Sequence, residues 1–476
     1  MMPIRIDNRR EFFWDDFLIA QTNARIVQHS PVYRGDVFSC DRPWEGSGCS
    51  YFVVVEDNGL FRMYYRGSRL TNADGTEFCN NLPGFWCYAE SRDGIHWDRP
   101  VLNMCEFEGS TDNNIILNDR FYDNFYVFID KRPGCPAGER YKGLRGSGGG
   151  NEPYGLHSYT SADGIHFTYC GLVTNKGKFD SMNTVFWDTE AGEYRCYLRD
   201  FHDVPGDDLN SGIRDIRVST SKDFVTWTIP ERITFAPNKE DIPLYTNQIQ
   251  PYYRGEHVRI GFPTRYIHRE WSPSFDHLPA PEHRKNRMAF SPRFGTALSD
   301  CVIMTSRDGK YFDRRDEAFM TPGPEDNCNW AYGNCFPAYG MIEVDAPIPG
   351  SEKEIALFAI RNSWVRPIVL ERWGIRRDGF FSLASTYKPC FLRTKPFIFK
   401  GCRLTVNFST SAAGGMVLTL VTADGRQYES CELFGDSTCR VVDFAGLPDL
   451  STLAGQPVTL EAVMRDSHLY SMQFKS

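Results

Sequence analysis

The stretch SRDGIHW at residues 91–97 decides the fold, because altered copies of it recur along the chain. It returns as SADGIHF at 161–167, SKDFVTW at 221–227, SRDGKYF at 306–312 and RRDGFF at 376–381. Each copy follows a run of residues typical of a β-strand, and Asp-Gly between such runs predicts a tight turn. The recurrence predicts one structural unit for each copy.

The spacing of the copies sets the size of these units. Their aspartates, Asp93, Asp163, Asp223, Asp308 and Asp378, are 70, 60, 85 and 70 residues apart. Paired strand candidates fill the intervals, as in YFVVVEDNG followed by LFRMYYRG, so each unit contains at least three short strands. Five such units predict a five-bladed β-propeller around a central channel, in which these aspartates form turns.

The pattern changes after the last copy. Runs such as RLTVNFST at 403–410 and MVLTLVTADGR at 416–426 predict an antiparallel β-sandwich. We therefore predict an all-β chain, with a propeller as the catalytic domain over residues 1–383 and a C-terminal sandwich over residues 384–476. Within residues 1–40, the strand candidate EFFWDDFLIA is expected to close or cap the ring. The polar, Pro-rich segment from His268 to Pro292 is predicted to be a long loop in the fourth blade.

Composition excludes several classes of protein. The 476 residues are 41% hydrophobic, 14% aromatic and 24% charged, which is typical of a globular protein rich in aromatic side chains. The net charge of −8 argues against a nucleic-acid partner. No run of eighteen apolar residues is present, so we expect no membrane-spanning segment. An acidic, aromatic-rich chain fits a neutral, sugar-like ligand, and a homo-oligomer is left open.

Other motifs narrow the chemistry. The N-terminal residues lack the apolar segment of a secretory signal, which favours a cytoplasmic protein unless the chain has been trimmed. The fifteen cysteines form no CxxC pair and no zinc pattern, which favours reduced thiols. We therefore predict no metal and no cofactor. Phosphate-binding loops, the GxSxG elbow and the HExxH motif are absent from the sequence.

These stretches resemble a group of bacterial propeller proteins related to the invertase/levanase (glycoside hydrolase family 32-like) and arabinanase (family 43-like) glycosidases. The resemblance runs from Phe12 to Phe474 and implies a five-bladed propeller, followed in the invertase group by a β-sandwich. It also implies an enzyme that hydrolyses O-glycosyl bonds. The motifs that carry it are EFFWDDFLIA, DRPWEG, FRMYYRG, SRDGIHW, TDNNIIL, FDSMN, LRDFHD, LYTNQIQPYYR, GFPTRY, MTSRDG and RDSHLYSMQF.

In glycosidases of this architecture, three carboxylates from three blades meet in the central funnel. By position, the resemblance matches the first to Glu45, or to Asp41, in DRPWEG, as base or nucleophile. It matches the second to Asp180 in FDSMN, which would stabilise the sugar cation or tune the acid.

The third carboxylate departs from the family pattern. The corresponding strand offers Asn247 where the family has a glutamate. Glu240 and Asp241 stand a few residues earlier, and we take Asp241 as the default proton donor. If neither reaches the funnel, the acid comes from elsewhere or the site is not a standard glycosidase site.

Carboxyl groups in different environments can protonate a leaving oxygen and face an oxocarbenium-like centre. Aromatic rings stack on sugars, and a guanidinium group holds a carboxylate or an acidic substituent. The predicted substrate-binding residues are therefore Trp44, Arg199, Tyr245, Asn247, Arg265 and Trp330. Asp200 and Asp203 are alternatively ion-pair partners of Arg199 and Arg214.

The predicted function is that of a glycoside hydrolase, exo-acting on a glycan or oligosaccharide, with furanosides and fructosides slightly favoured by the resemblance. Two alternatives stay open. A mannoside phosphorylase on the same fold would gather phosphate with Arg199, Arg265 and His268. A non-catalytic glycan-binding propeller would account for the missing third carboxylate.

Overall fold

The computed structural model describes residues 2–48, 50–72, 77, 84–119, 122–147, 153–204, 212–326, 328–365 and 367–476. Across these ranges the chain is nearly all β, and its strands form five four-stranded sheets, a two-stranded hairpin and one eleven-stranded sheet. Every helix in this part of the chain is too short or too polar to cross a bilayer. The predicted all-β class, a propeller followed by a C-terminal sandwich, is confirmed.

Four of the five propeller blades are antiparallel sheets built from strands in chain order. Around the central channel, the first strand of blade five contacts that of blade one, and such contacts continue through blades two and three to blade four. The strands are Ser50–Asp57, Leu60–Gly67, Gly84–Ser91 and Ile115–Asp119 in blade one, Tyr122–Ile129, Tyr141–Ser147, Gly155–Ser161 and Thr168–Thr174 in blade two, Thr184–Asp188, Glu193–His202, Ile213–Ser221 and Glu231–Arg232 in blade three, and Gln250–Pro251, Arg259–Gly261, Met304–Ser306 and Asp313–Arg314 in blade four.

The fifth blade joins the two ends of the propeller. Its first three strands are Ile342–Val344, Glu354–Arg361 and Ile368–Arg376. The fourth strand, Val32–Cys40, comes from the N-terminal segment and pairs antiparallel with Ile368–Arg376. Residues 32–40 therefore close the ring, whereas EFFWDDFLIA lies in the C-terminal sheet.

The C-terminal sheet combines strands from both ends of the chain. Its buried core includes Phe13, Leu404, Leu418, Leu460 and Phe474. The predicted boundary between residues 383 and 384 stays a prediction, and four N-terminal strands belong to this sheet. The strands are Ile4–Asp7, Arg10–Phe12, Ile19–Thr22, Arg25–Gln28, Phe381–Ala384, Cys390–Thr394, Phe397–Phe399, Arg403–Thr422, Gln427–Glu429, Asp436–Val441 and Pro457–Lys475.

The segment predicted to be a loop in blade four contains helices, so that prediction is wrong. Its helices are Pro273–His277, Pro281–Phe290 and Pro292–Thr296, and they lie between the hairpin strands Thr264–His268 and Ala297–Cys301. Each helix begins with proline, whose fixed φ and missing N–H suit the first helical position. The prolines that suggested a loop are helix starts.

The repeated motif forms the turn after the third strand of each blade. Asp93 Oδ1 accepts hydrogen bonds from the backbone N–H groups two and three residues later, both at 2.8 Å. The same two bonds recur at Asp163, Asp223 and Asp308. The predicted turns are confirmed at these four positions. Phe224 takes the place of the motif's glycine and adopts the same left-handed backbone, with φ of 69°.

These turns also connect blades. Tyr64 in blade one donates a hydrogen bond to the carbonyl oxygen of Gly164 in blade two at 2.8 Å. Tyr197 in blade three donates in the same way to Gly309 in blade four at 2.8 Å. A Cβ at Gly164 would lie 2.7 Å from the Tyr64 hydroxyl oxygen, so the contact requires glycine.

The fifth copy has a different role. Asp378 also lies in a turn, but its side chain is fully buried. It accepts hydrogen bonds from Tyr252 at 2.6 Å, Arg254 at 2.8 Å and Ser471 at 2.7 Å, and pairs with Arg10 at 3.2 Å. Burial alone would raise the pKa of Asp378, but the arginine charges lower it overall. This carboxylate therefore joins blade four to the C-terminal sheet.

Candidate active site

A pocket of about 250 Å³ opens at the end of the channel where the first strands of the blades begin. We call this pocket the funnel. Blades one, three, four and five and the inserted helices contribute to it. The lining residues are Gly48, Ser50, Tyr51, Arg66, Leu70, Asp180, Tyr245, Arg293, Phe294, Tyr332, Gly333, Phe336, Ser363 and Trp364.

Asp180 is the carboxylate of the funnel, and Arg199 holds it. Asp180 precedes the first strand of blade three, in a turn that Asn183 braces by donating to the carbonyl oxygens of Phe179 and Ser181 at 3.1 and 2.9 Å. The Arg199 guanidinium lies 2.5 Å from Asp180 Oδ1. The Asp180 side chain is 53% exposed, whereas that of Arg199 is 5% exposed. A buried cation thus orients a carboxylate that remains open to the pocket.

Aromatic rings form one wall of the funnel. The hydroxyl of Tyr332 donates to that of Tyr245 at 2.9 Å, and the rings of Phe294 and Tyr332 stack 5.8 Å apart. Trp364 meets Phe294 edge-on at 4.7 Å. Burial raises the pKa of Tyr332 well above its ordinary value, so its hydroxyl stays protonated at neutral pH. Such rings offer apolar faces and polar edges to a sugar.

Arginines lie behind and beside this wall. Arg214 is 6% exposed and stacks on Tyr266 at 4.5 Å. Arg287 donates to the carbonyl oxygen of Tyr332 at 2.5 Å and lies 4.3 Å from the Trp364 ring centroid. Burial lowers the pKa of Arg214, and it lowers that of Arg287 to about 9. Burial in the wall thus disfavours both charges.

Glu45 and Asp41 lie outside the funnel. Glu45 is fully buried and accepts hydrogen bonds from the Tyr65 hydroxyl at 2.7 Å and Arg99 Nε at 2.8 Å. Its position suits a carboxylate that anchors the loop before blade one. The Asp41 side chain is exposed and lies 3.6 Å from Arg42 Nε. This arrangement does not favour the predicted base or nucleophile role for either residue.

Trp44 packs into the core beside that loop. Its indole N–H donates to Asn114 Oδ1 at 2.7 Å, and its ring meets Phe107 edge-on at 6.0 Å. It does not line the funnel among the described residues. The ring is therefore not placed as a sugar platform there.

Asp241 is engaged by two basic side chains. Its carboxylate contacts His202 Nε2 at 2.6 Å and Arg232 at 2.8 Å. Burial alone would raise the pKa of Asp241, but the bonds from His202 and Arg232 lower it overall. A general acid needs a pKa raised toward the working pH, so the geometry does not favour Asp241 as proton donor.

Asn247 braces two blades. It is buried, accepts from Thr184 at 2.8 Å and donates to the carbonyl oxygen of Met182 at 3.1 Å. These bonds tie the start of blade three to blade four. They engage both ends of the Asn247 amide and so compete with the predicted contact to substrate.

Arg265 and Trp330 lie together in a separate groove. Arg265 forms two hydrogen bonds to the Asp300 carboxylate at 2.9 and 2.6 Å, and these raise its pKa. The Trp330 indole donates to the carbonyl oxygen of Gly323 at 2.9 Å. Of the predicted residues, the structure brings Asp180, Arg199 and Tyr245 together.

Sequence reasoning missed the basic half of the site. The sequence suggests only an ion-pair role for Arg214, since Asp200 and Asp203 are predicted as partners of Arg199 and Arg214. In the structure, Asp200 pairs with Arg217 at 3.1 Å instead. Arg287 lies in the segment predicted to be a loop, and Arg293 directly follows that segment. The signal available was the basic run HRKNR at 283–287, which the chain's net acidity makes unusual.

Only one group of side chains in the described ranges has the spacing of metal ligands. His202, Asp203 and Asp241 offer ligand atoms within 4.8 Å of one another. Asp241 already contacts both His202 and Arg232. These hydrogen bonds account for the cluster, and we assign no metal or cofactor to it.

The chain matches no protein-family model. An uncharacterized protein of Mycobacterium tuberculosis is 27% identical over 161 residues, which are 34% of this chain and 43% of that protein. The aligned part thus spans less than half the length of this curated relative. A second uncharacterized protein, from another strain of that organism, aligns with the same identity and coverage.

Several solved structures are similar to this chain at low identity. A glycosyl hydrolase from Bacteroides ovatus is 14% identical, with a TM-score of 0.42, over 79% of this chain and 99% of that chain. A GH32 β-fructofuranosidase from Bombyx mori is 9% identical, with a TM-score of 0.40, over 93% and 94% of the two chains. The chain is a five-bladed β-propeller, and the solved structures it resembles include glycoside hydrolases.

Proposed function

We propose that the protein is a glycan-active enzyme that cleaves a glycosidic bond in the funnel. The observation that carries this proposal is the Asp180–Arg199 pair, in which a buried guanidinium presents a half-exposed carboxylate to an aromatic pocket. Because four of the five blades and the inserted helices line the pocket, it suits the end of a glycan better than its middle. The proposal therefore keeps exo action on a glycan or oligosaccharide.

Asp180 would act on the reacting sugar. A carboxylate at this position can stabilise an oxocarbenium-like centre or exchange a proton with the leaving group. Arg199 fixes the direction of the carboxylate, and the linked hydroxyls of Tyr245 and Tyr332 offer hydrogen bonds to the sugar. Among the lining residues that the structure describes, Asp180 is the only carboxylate.

A phosphorylase is the second candidate, and the single carboxylate together with the arginine-rich wall favours it. Phosphate supplies its own nucleophilic oxygen, so the protein need not activate water with a second carboxylate. The trio Arg199, Arg265 and His268 does not meet, because Arg265 lies in the separate groove with Asp300. Arg214 and Arg293 would bind the phosphate in place of Arg265 and His268.

Sugar release from a broad panel of aryl glycosides and oligosaccharides, with and without phosphate, tests the proposal. The parent protein is compared with Asp180→Asn and with Asp345→Asn, an exposed control that lies outside the funnel. We expect Asp180→Asn to lose at least about 10²-fold in release, and the control to match the parent. Release only with phosphate would establish the phosphorylase.

A parent that binds a glycan but releases no sugar from any member of the panel would contradict the proposal. The non-catalytic binding propeller would then remain.

A further inference from the structure

We propose that the arginines of the funnel wall form an oxyanion subsite, built by Arg214 and Arg293 beside Arg199. The subsite would bind an anionic group, either an acidic substituent carried by the glycan or free phosphate. This inference rests on the proposed function of the funnel and names its substrate class. It replaces the neutral sugar expected from composition by an anionic ligand.

Arg214 provides the first argument. Its guanidinium is buried, and no carboxylate in the described parts of the chain pairs with it. Rings of Tyr266, Tyr245 and Phe201 hold it at 4.5, 5.4 and 5.4 Å. These contacts position the cation but leave its charge uncompensated. A buried charge without a counterion is costly, and a bound anion would remove that cost.

The neighbouring charges strengthen the argument. Arg199 lies over the same rings, 5.4 Å from Tyr245 and 4.6 Å from Phe201. Two guanidinium groups therefore flank one pair of aromatic rings, and Asp180 compensates only one of them. The interaction with Arg199 adds to burial in lowering the pKa of Arg214.

Two further arginines contact the same group of aromatic residues. Arg293 lines the funnel next to Tyr266 and Tyr332. Arg287 donates to the Tyr332 carbonyl oxygen from behind. Neither has a carboxylate partner in the described ranges. The Tyr245, Tyr266 and Tyr332 rings are thus surrounded by positive charge.

Three buried arginines elsewhere in the protein have carboxylate partners, whereas the buried Arg284 donates to the carbonyl oxygens of Gly295 and Trp330. Arg259 contacts Asp188, Arg314 lies 3.0 Å from Asp316, and Arg372 lies 3.2 Å from Glu354. The chain has a net charge of −8, so carboxylates are plentiful. Unlike Arg259, Arg314 and Arg372, Arg214 is buried without a carboxylate partner among the residues whose positions are described, and it contacts rings of the funnel wall.

Guanidinium groups suit an anionic oxygen group for geometric reasons. Their planar donors match a carboxylate or a phosphate with two parallel hydrogen bonds. On a glycan, the matching group is the carboxylate of a uronic acid or a sulfate or phosphate ester. In solution it is inorganic phosphate.

Calorimetric titration of the whole chain distinguishes these sources. The probes are the methyl glycosides of galacturonic and glucuronic acid, their neutral counterparts from galactose and glucose, and inorganic phosphate. The proteins are the parent, Arg214→Gln, Arg214→Lys and Arg426→Gln. Arg426 is exposed and pairs with Asp424 in the C-terminal sheet, so its variant removes the same charge outside the funnel.

We expect the parent to bind at least one anionic probe at least tenfold more tightly than the neutral sugars, on the scale of charge-assisted hydrogen bonds. Arg214→Gln should lose about tenfold or more of that affinity, Arg214→Lys should lose less, and Arg426→Gln should lose none. Tight binding of an acidic sugar identifies the glycan as the source. Binding of phosphate alone identifies free phosphate.

The subsite is overturned if the parent prefers no anionic probe, or if Arg214→Gln weakens neutral and anionic probes equally. Should Arg214→Gln fail to fold, Arg293→Gln, a partly exposed lining position, replaces it. Cleavage of neutral glycosides without preference for acidic ones, together with no binding of phosphate, would remove the subsite and leave the proposed function standing. Binding of acidic sugars without cleavage of any substrate would support the subsite and contradict the proposed function.

Discussion

Asp180 and Arg199 form an ion pair of 2.5 Å between a half-exposed carboxylate and a buried guanidinium. The arginine sits in the second strand of blade three, and the aspartate lies in the turn before the first strand. A rigid sheet thus orients a group that reaches into solvent. Of the carboxylates that the family resemblance matches to the funnel, Asp180 is the one that lines it among the described residues.

The first prediction concerns this orientation. In Arg199→Gln, Asp180 loses its partner, so we expect kcat on the substrate found in the panel to fall about 10–100-fold while KM changes less. Arg199→Lys keeps the charge but lacks the planar fork, and should recover part of the loss. Steady-state kinetics of the two variants check this. Equal kcat in parent and Arg199→Gln would show that the ion pair does not position the carboxylate for reaction.

The second prediction concerns the cost of the unpaired cation. Arg214→Met replaces a buried charge by an apolar side chain, so the free energy of unfolding should not fall, although cation–π contacts worth about 0.5–2 kcal/mol are lost. Arg259→Met is the matched control, because it leaves Asp188 with one arginine fewer and should cost about 2 kcal/mol or more. Urea unfolding measures both variants. Equal destabilisation would mean that Arg214 serves the fold.

The third prediction concerns acid stability. Glu11 is fully buried and contacts Arg9 at 2.6 Å, Arg307 at 3.1 Å and His257 at 3.5 Å. Burial alone would raise the pKa of Glu11, but the nearby His257 and the charge of Arg307 lower it from 4.5 to about 2. A carboxyl group with a lowered pKa stabilises the fold above its unfolded pKa, and this contribution is lost as the pH falls toward its folded pKa.

Glu11→Gln should therefore lower the free energy of unfolding by about 3 kcal/mol at pH 7, and the difference from the parent should shrink between pH 4.5 and about 2. Denaturant unfolding at several pH values follows this difference. A gap between the two proteins that does not change with pH would contradict the lowered pKa.

The fourth prediction uses two glycines with similar backbones. Gly94 and Gly109 have φ of 72° and 86°, and a Cβ at Gly94 would lie 2.4 Å from Ile342 Cδ1, whereas one at Gly109 would meet nothing within 4 Å. Gly109→Ala should cost about 1 kcal/mol for the backbone alone. Gly94→Ala should cost more, because the turn also packs against blade five. Chemical unfolding compares the two, and equal costs would argue against that packing.

The repeat made the propeller predictable, because each turn is local. Asp93 and its counterparts bond to backbone groups two and three residues away, so the motif specifies the turn without help from the rest of the chain. Asp180 and Tyr245 were also found, since each stands just before the first strand of a blade. Asp378 kept the motif but acquired partners from three distant segments, which a local pattern does not reveal.

The remaining site residues depend on packing between distant segments. Glu45 has the expected place in the chain, but its loop folds back onto Tyr65 and Arg99 and buries the carboxylate. Arg214 lies opposite Phe201 in the sheet, and its surroundings come from the inserted hairpin of blade four. Neither contact follows from spacing within one blade.

The central claim, that Asp180 performs chemistry in the funnel, is tested most directly by the kcat/KM of Asp180→Asn relative to the parent on the same substrate. The substitution keeps the shape of the side chain and removes its charge. We predict a loss of at least about 10²-fold with unchanged thermal stability, while Asp345→Asn retains the parent's value. An Asp180→Asn variant as active as the parent would contradict the account.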